Sequence, residues 1–320
     1  MPVSAESLIA DVPAFLQYAR PATLLRPTAG TPGVRDGSVG GPLLWPADEP
    51  WPACPAPHLV QAREKLSDEE RDTWQRIDRA MKERRRRNPG RAYELTAEEA
   101  REQDRIMAGA SALDMITWER CRWVQDTSGP GVPMVPVLQL FARDVPGDHW
   151  PPGTDVLQVL WCPNDHGDLP GQPYYSGPTV ELRYRSSSTV ETVLDPPRPD
   201  RVGRSYLPRP CAVAPLEIVD LPASDELPDD LYDEGDRWAE ERDVEFERVL
   251  ACRPGWKVGG WPSWHLTDLH VIDCSCGARM RLFLTMDSGG DPDVVVGRFG
   301  ELRVFTCPKD PSHPIRLNIQ

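Results

Sequence analysis

Residues Trp256 to Thr285 read WKVGGWPSWHLTDLHVIDCSCGARMRLFLT, and a looser version of this stretch lies near the N-terminus. In the late version Val258-Gly259-Gly260-Trp261-Pro262 leads to Trp264 and then Cys274. In the early one Val39-Gly40-Gly41-Pro42 leads to Trp45 and then Cys54. The second glycine of each pair lies 13 residues before its cysteine in the early copy and 14 in the late one. Downstream, Met134-Val135-Pro136-Val137-Leu138-Gln139-Leu140 aligns without a gap to Met280-Arg281-Leu282-Phe283-Leu284-Thr285-Met286. Leu157-Gln158-Val159-Leu160-Trp161-Cys162-Pro163 then aligns to Leu302-Arg303-Val304-Phe305-Thr306-Cys307-Pro308. Each half reads Gly-Gly turn, cysteine, apolar strand, spacer, and a second apolar strand ending in Cys-Pro. Self-similarity in a fixed order marks a duplicated unit. The expected fold is α+β: two mainly antiparallel β halves packed as one pseudo-twofold globule, with a helical insertion in the first half.

Working outward, residues 1–35 read as an N-terminal helix and loop. Ser4 to Arg20 has Leu8, Ile9, Val12, Phe15 and Leu16 at helical spacing. Residues 36–195 form the first half, interrupted at about 61–130 by a segment with no late counterpart, since Cys276 and Met280 are almost adjacent. That insertion reads as two or three helices. Ser67-Asp68-Glu69-Glu70 and Thr96-Ala97-Glu98-Glu99 are capping boxes, one helix ends near Asn88-Pro89-Gly90, and the last is expected over Met115 to Val124. The basic run Arg84 to Arg87 sits among acidic residues without aromatic partners, which suits a solvated helix face. Val180 to Tyr184 is a third strand candidate. Residues 196–252 read as an acidic, Pro-rich linker wrapping the surface, followed by a helix over Asp236 to Leu250. The second half is 253–320. The tryptophans Trp45 and Trp51, set among prolines, are expected to pack.

A net charge of −14 argues against general affinity for nucleic-acid phosphates or anionic lipid. The first twenty residues lack the basic and apolar regions of a secretory signal, and no run of 18 apolar residues occurs. The expected compartment is the cytoplasm, where eight cysteines are reduced, buried or metal-bound rather than paired.

The cysteines fall into sets with histidine. Cys54-Pro-Ala-Pro-His58 and Cys162-Pro-Asn-Asp-His166 share a Cys-x₃-His pattern at equivalent places in the first half. The second half offers Cys274-Ser-Cys276 and, after its last apolar strand, Cys307 with His313, Asp310 competing as fourth ligand. Thiolate and imidazole are the ligands of tetrahedral Zn²⁺, and structural sites use four. Two zinc sites are therefore expected, one of Cys54, His58, Cys162 and His166, the other of Cys274, Cys276, Cys307 and His313. Structural zinc adds roughly 10–16 kcal/mol of folding energy in small peptides, enough to hold Pro-rich segments together. Cys121, Cys211 and Cys252 have no metal-spaced partner and read as core residues. His265-x₂-Asp268-x-His270 has no early counterpart and reads as a loop or strand edge.

The chain contains no Gly-x-Gly-x-x-Gly, Gly-x₄-Gly-Lys-Ser/Thr, Gly-x-Ser-x-Gly or His-Glu-x-x-His. A four-ligand zinc site leaves no position for water, which points to a zinc-stabilised binding protein with a protein partner rather than an enzyme. Two other readings stay open. An open coordination position near His166 or the His265 tract would suit a metal-dependent hydrolase. The acidic charge would suit an immunity-type protein that neutralises a basic toxin.

These motifs resemble the YwqG-like family of bacterial proteins, whose function is unassigned. The resemblance rests on Gly40 to Pro52, Val137 to Leu140, Val156 to Trp161 before Cys162, Lys257-Val-Gly-Gly-x-Pro-x-Trp, Cys276-Gly-x-x-Met with its strand, and Gly300-x-Leu-x-Val-Phe before Cys307. It covers most of the chain outside 61–130 and 195–250. It implies an α+β fold and no established substrate, catalytic residue or cofactor. Proteins of this type place two residues between the paired cysteines where this chain has one. They also carry Cys-x-x-Cys after the last strand, where this chain has Cys307, Asp310 and His313.

Overall fold

The computed structural model describes residues 3–55, 57–87, 95–126, 131–147, 149–199, 202–264 and 267–320. They divide into two compact units, one of Met1–Pro55 with Pro130–Gln320, the other of Ala56–Gly129. Helices mix with antiparallel sheets in an α+β arrangement. In chain order the strands are β1 (Arg20–Leu24), β2 (Thr28–Ala29), β3 (Ser38–Val39), β4 (Ala53–Cys54), β5 (His58–Lys65), β6 (Ala112–Asp114) and β7 (Glu119–Asp126). They continue as β8 (Val132–Pro133), β9 (Val135–Phe141), β10 (Val156–Trp161), β11 (His166–Leu169), β12 (Gln172–Gly177) and β13 (Val180–Arg185). The last six are β14 (Cys211–Ala212), β15 (Leu216–Asp220), β16 (Lys257–Gly259), β17 (Arg281–Asp287), β18 (Glu301–Thr306) and β19 (Arg316–Ile319).

The larger unit holds two six-stranded sheets, ordered β13-β10-β9-β3-β14-β2 and β19-β18-β17-β16-β1-β15. The apolar runs that read as strands sit second and third in each. In the first sheet Val159 faces Leu138 and Leu160 faces Pro136, so Val137 is the extra residue of a β-bulge. In the second, Leu284 faces Val304 and Leu282 faces Phe305, which leaves Phe283 as the extra residue. Val137 and Phe283 are aligned partners in the sequence. The glycine pairs also match: Gly40, Gly41, Gly259 and Gly260 all have φ between 74° and 81°, where a Cβ would be strained. Buried polar side chains repeat the correspondence. Gln158 Nε2 donates to the carbonyl of Leu44 at 2.9 Å, and Arg303 at the aligned position donates to the carbonyl of Ser263. Residues of both sheets, among them Val137, Val159, Leu284 and Val304, share one apolar core.

The linker expectation for 196–252 needs correction. Its Pro-rich chain enters both sheets, β14 pairing with β3 and β15 pairing with β1. Backbone pairing requires only extended conformation and free N–H groups, which the residues between prolines supply. The N-terminal helix is also shorter than expected. Helix α1 (Ala5–Asp11) starts on a Ser4 capping box, and a 3₁₀ segment follows at Pro13–Tyr18. Proline has no N–H to continue the ladder, and Leu16, expected on the buried face, is 66 % exposed.

In the smaller unit, α2 (Asp68–Arg87) and α3 (Ala97–Met107) form where the capping boxes stand. Ser67 and Glu70 exchange side-chain and backbone hydrogen bonds at 2.8 and 3.2 Å. Residues Asn88 to Gly90 lie outside the described residues. The helix expected over Met115 to Val124 is a turn followed by β7, within an antiparallel sheet ordered β5-β7-β6. Asp114 caps that turn by accepting from the amides of Ile116 and Thr117, and Trp118 takes φ 57°. Cys121 and Trp123 alternate with Arg120 and Arg122, a short run of strand period. Arg84 pairs with Glu99 through two bonds of 2.9 and 2.6 Å, and Arg87 with Glu83, so both ends of the basic run are ion-paired.

The helix expected over Asp236 to Leu250 is two, α4 (Asp229–Glu240) and α5 (Phe246–Val249), separated at Asp243 with φ 57°. With α1 they enclose a second core around Leu8, Phe15, Trp238 and Phe246.

Candidate metal centres

Each sheet ends in a small apolar cluster that holds cysteines. In the first, Leu43, Trp45, Met134 and Leu160 surround Cys54 and Cys162. In the second, Trp264, Met280, Leu282 and Phe305 surround Cys274 and Cys307. Trp45 is fully buried, with the Trp51 ring 4.9 Å from it, so the tryptophans pack as expected.

At the first centre, Cys54 closes β4, which is held by β8. Cys162 follows β10, a strand paired on both sides, and its amide donates to the carbonyl of Thr179 at 2.9 Å. His166 opens β11 opposite Gly177. These three buried residues offer ligand atoms within 4.8 Å of one another, the Cys54 Sγ to His166 Nε2 separation being 3.5 Å. Thr179 Oγ1 lies 3.2 Å from the Cys54 sulfur, and the Asn164 side chain donates to Cys162 Sγ at 3.9 Å. The hydrogen bond from Cys162, helped by those of His166 and Thr179, overrides desolvation and pulls the Cys54 thiol down to about 4. The Cys162 thiol is pushed far up, by that same bond first and then by burial. His58 lies in the other unit, where it opens β5 opposite Asp126.

At the second centre, a tight turn presents two sulfurs. The Cys274 amide donates to the Ala278 carbonyl and the Gly277 amide to the Cys274 carbonyl, both at 2.9 Å, with Gly277 at φ 76°. Cys307 follows β18 on the neighbouring strand, and His313 comes from the turn beyond it. The four ligand atoms lie within 4.8 Å of one another. Cys274 Sγ is 3.3 Å from His313 Nδ1, and Cys276 Sγ is 3.6 Å from Cys307 Sγ. Bond lengths near 2.3 Å to sulfur and 2.0–2.1 Å to nitrogen put the ligands of tetrahedral zinc roughly 3.3–3.8 Å apart. The pairs Cys54–His166, Cys274–His313 and Cys276–Cys307 meet that spacing. Both clusters can hold a metal ion.

The backbone prepares the sulfurs for charge. The amide of Cys276 lowers the Cys274 thiol, as the first of several contacts. Desolvation raises Cys307, but hydrogen bonds from His313 and from the amides of Asp310 and Lys309 outweigh it, and the thiol falls to about 6. Cys276 is raised by its sulfur neighbours Cys307 and Cys274, the Ala278 amide and desolvation acting in opposite directions. His313 is raised by its hydrogen bond with Cys307 first, then by Cys274 and the Asp310 carboxylate.

Asp310, the competing fourth ligand of the sequence, has another place. Its Oδ2 lies 3.6 Å from His313 Nε2, the nitrogen turned away from Cys274, while Oδ1 accepts from the Ser312 amide at 2.8 Å. A carboxylate on the far nitrogen orients an imidazole ligand and fixes its tautomer. Only the spacing Asp-x₂-His signalled this; Thr179 and Asn164 carried no signal.

Cys121 and Cys211 are buried and Cys252 half-buried, apart from both clusters. His265 lies outside the described residues. Asp268 is exposed, the exposed His270 ring stands edge-on to Trp264 at 6.4 Å, and neither belongs to a cluster. Among the described residues no helix is long and apolar enough to cross a membrane. No protein-family model matches the chain, and no curated protein matches it.

Proposed function

We propose that the chain is a zinc protein of two duplicated β halves, each closed at one end by a structural Zn²⁺, and that it acts by binding a protein partner in the cytoplasm rather than by catalysis. The observation that carries the zinc reading is the second cluster, three thiols and an imidazole with ligand atoms within 4.8 Å of one another, with amide N–H groups aimed at the sulfurs. At the first centre, His58 is the proposed fourth ligand. Three residues separate it from Cys54, a link that spans at most about 14 Å. The Cys-x₃-His spacing it shares with Cys162 and His166 favours that role.

Duplication is supported by the matching order of the aligned strands, the bulges at Val137 and Phe283, and the aligned pairs Trp45/Trp264, Cys54/Cys274 and Cys162/Cys307. The same motifs favour a YwqG-like affiliation. Four protein ligands fill a tetrahedral ion, so the role assigned to the metal is stability.

The test is metal content per chain on protein purified without added metal, for the wild type and for Cys54→Ser and Cys307→Ser. Two zinc ions in the wild type and one in each variant are expected. A metal-free wild type refutes the reading. Turnover of a small substrate that disappears on chelation while the fold persists would refute the non-catalytic role.

A further inference from the structure

We infer that the Cys274/Cys276/Cys307/His313 centre releases its zinc in response to a hydroperoxide, through a Cys276–Cys307 disulfide, while the Cys54 centre keeps its ion. The inference rests on the zinc reading above. It begins from an asymmetry between two otherwise corresponding sites. Cys54, Cys162 and His166 are all buried. Cys276 is exposed, and the His313 side chain is 30 % exposed.

Formal charge explains why the two sites differ in depth. Two thiolates and two neutral imidazoles cancel a divalent ion, so the first centre is neutral and can be buried. Three thiolates and one imidazole leave a net negative charge, which is costly to remove from water. The charged centre therefore belongs at the surface, and the surface is where an oxidant arrives. Thiolate character combined with exposure selects the cysteine that reacts.

The geometry supplies a resolving partner. Cys276 Sγ lies 3.6 Å from Cys307 Sγ, and a disulfide requires about 2.05 Å. The necessary movement falls on an exposed turn, Ser275 to Gly277, and apart from its two chain neighbours no residue comes within 4 Å of a Cβ placed on Gly277. Cys307, by contrast, is anchored to the end of β18. Closing the bond moves the free turn and leaves the sheet in place.

The chemistry balances. The Cys276 thiolate attacks one peroxide oxygen, the O–O bond breaks, and hydroxide leaves a sulfenic acid on Cys276. The Cys307 thiolate then attacks that sulfur, forms S–S, and expels a second hydroxide. Two thiolates are oxidised by two electrons as one hydrogen peroxide is reduced to two hydroxides. The zinc loses two of its four ligands and is left on Cys274 and His313, too few to hold it in a tetrahedral site. A dithiol reductant reverses the oxidation.

The experiment starts with protein whose zinc content has been measured. Stoichiometric hydrogen peroxide is added, released zinc is followed with a chromogenic chelator, and cysteine-containing peptides are mapped without reduction. One ion per chain should appear, together with a Cys276–Cys307 disulfide, and a dithiol with added zinc should restore the original content. In Cys276→Ser, release should slow at least about tenfold, because the centre's two remaining thiols, Cys274 and Cys307, are buried. The wild-type peptide map decides the question even if that variant fails to load zinc. Retention of both ions, simultaneous loss of both, or a disulfide elsewhere overturns the inference. Absence of zinc at the outset would instead overturn the zinc reading, so the two failures are distinguishable.

Discussion

Lys257→Met should cost the larger unit about 3 kcal/mol of stability, although Lys257 touches no metal ligand. Lys257 and Asp220 form an ion pair with side chains 2 % and 0 % exposed, Nζ lying 2.8 Å from Oδ2. The pair is fully hydrogen-bonded. Nζ also donates to the Trp261 carbonyl at 2.9 Å, and Asp220 accepts from the amides of Arg253 and Trp261, each at 2.8 Å. Removing one partner of a buried pair typically costs about 3–5 kcal/mol, because the other charge stays buried and uncompensated. The two remaining amide donors still stabilise the Asp220 carboxylate, which places the loss near the lower end. Urea unfolding followed by tryptophan fluorescence reads the effect. With a slope of about 2–3 kcal/mol/M, the midpoint should fall by about 1 M or more. Neutralising the partner as well, in Lys257→Met/Asp220→Asn, should recover part of the loss, since no lone charge remains. A single-variant cost below about 1 kcal/mol would show that water reaches the pair. A double variant costing the full sum of the two singles would show that the residues do not act as a unit. Either result refutes the argument.

Other outcomes follow from individual contacts. Gly260→Ala should destabilise more than an ordinary surface glycine replacement, because its Cβ would lie 2.3 Å from Asp220 Oδ2 at φ 75°; thermal unfolding checks this. On the proposed zinc reading, Asp310→Ala should weaken metal binding at the second centre by about 10–100-fold without abolishing it, measured by chelator competition, since Asp310 faces the far nitrogen of His313. Loss equal to that of His313→Ala would make Asp310 a ligand. The Arg84 hydrogen bonds hold the Glu99 carboxyl at about 2, below its ordinary 4.5. Its folded pKa is depressed, so its contribution is fully present above about 4.5 and is lost as pH falls towards 2. Glu99→Gln should therefore flatten the acid dependence of helix content across that window; an unchanged profile would remove Glu99 as its source.

The sequence by itself determined the local pieces. The apolar runs at Val156 to Trp161 and Val135 to Leu140 have few alternatives to buried strands, and the capping boxes at Ser67 and Thr96 start helices through contacts three residues apart. The cysteines at strand ends were legible for a similar reason. A ligand just past a rigid strand is positioned by that strand, and aligned strands carry aligned ligands. Where a reading depended on a partner far along the chain, the sequence was silent. The Pro-rich linker is extended in any environment, and only the exposed edges of β3 and β1 turn it into strands β14 and β15. Asp220 in that linker looks like one acidic residue among many until folding brings Lys257 to it, 37 positions away. Met115 to Val124 suits a helix or a strand nearly equally, and pairing with β5 decides it. Asp310 and His313 look interchangeable as ligands until the turn directs one imidazole nitrogen to a sulfur and the other to the carboxylate. The depth of each centre was likewise undecided, because burial is a property of everything packed around a residue, and chain-local chemistry does not contain it.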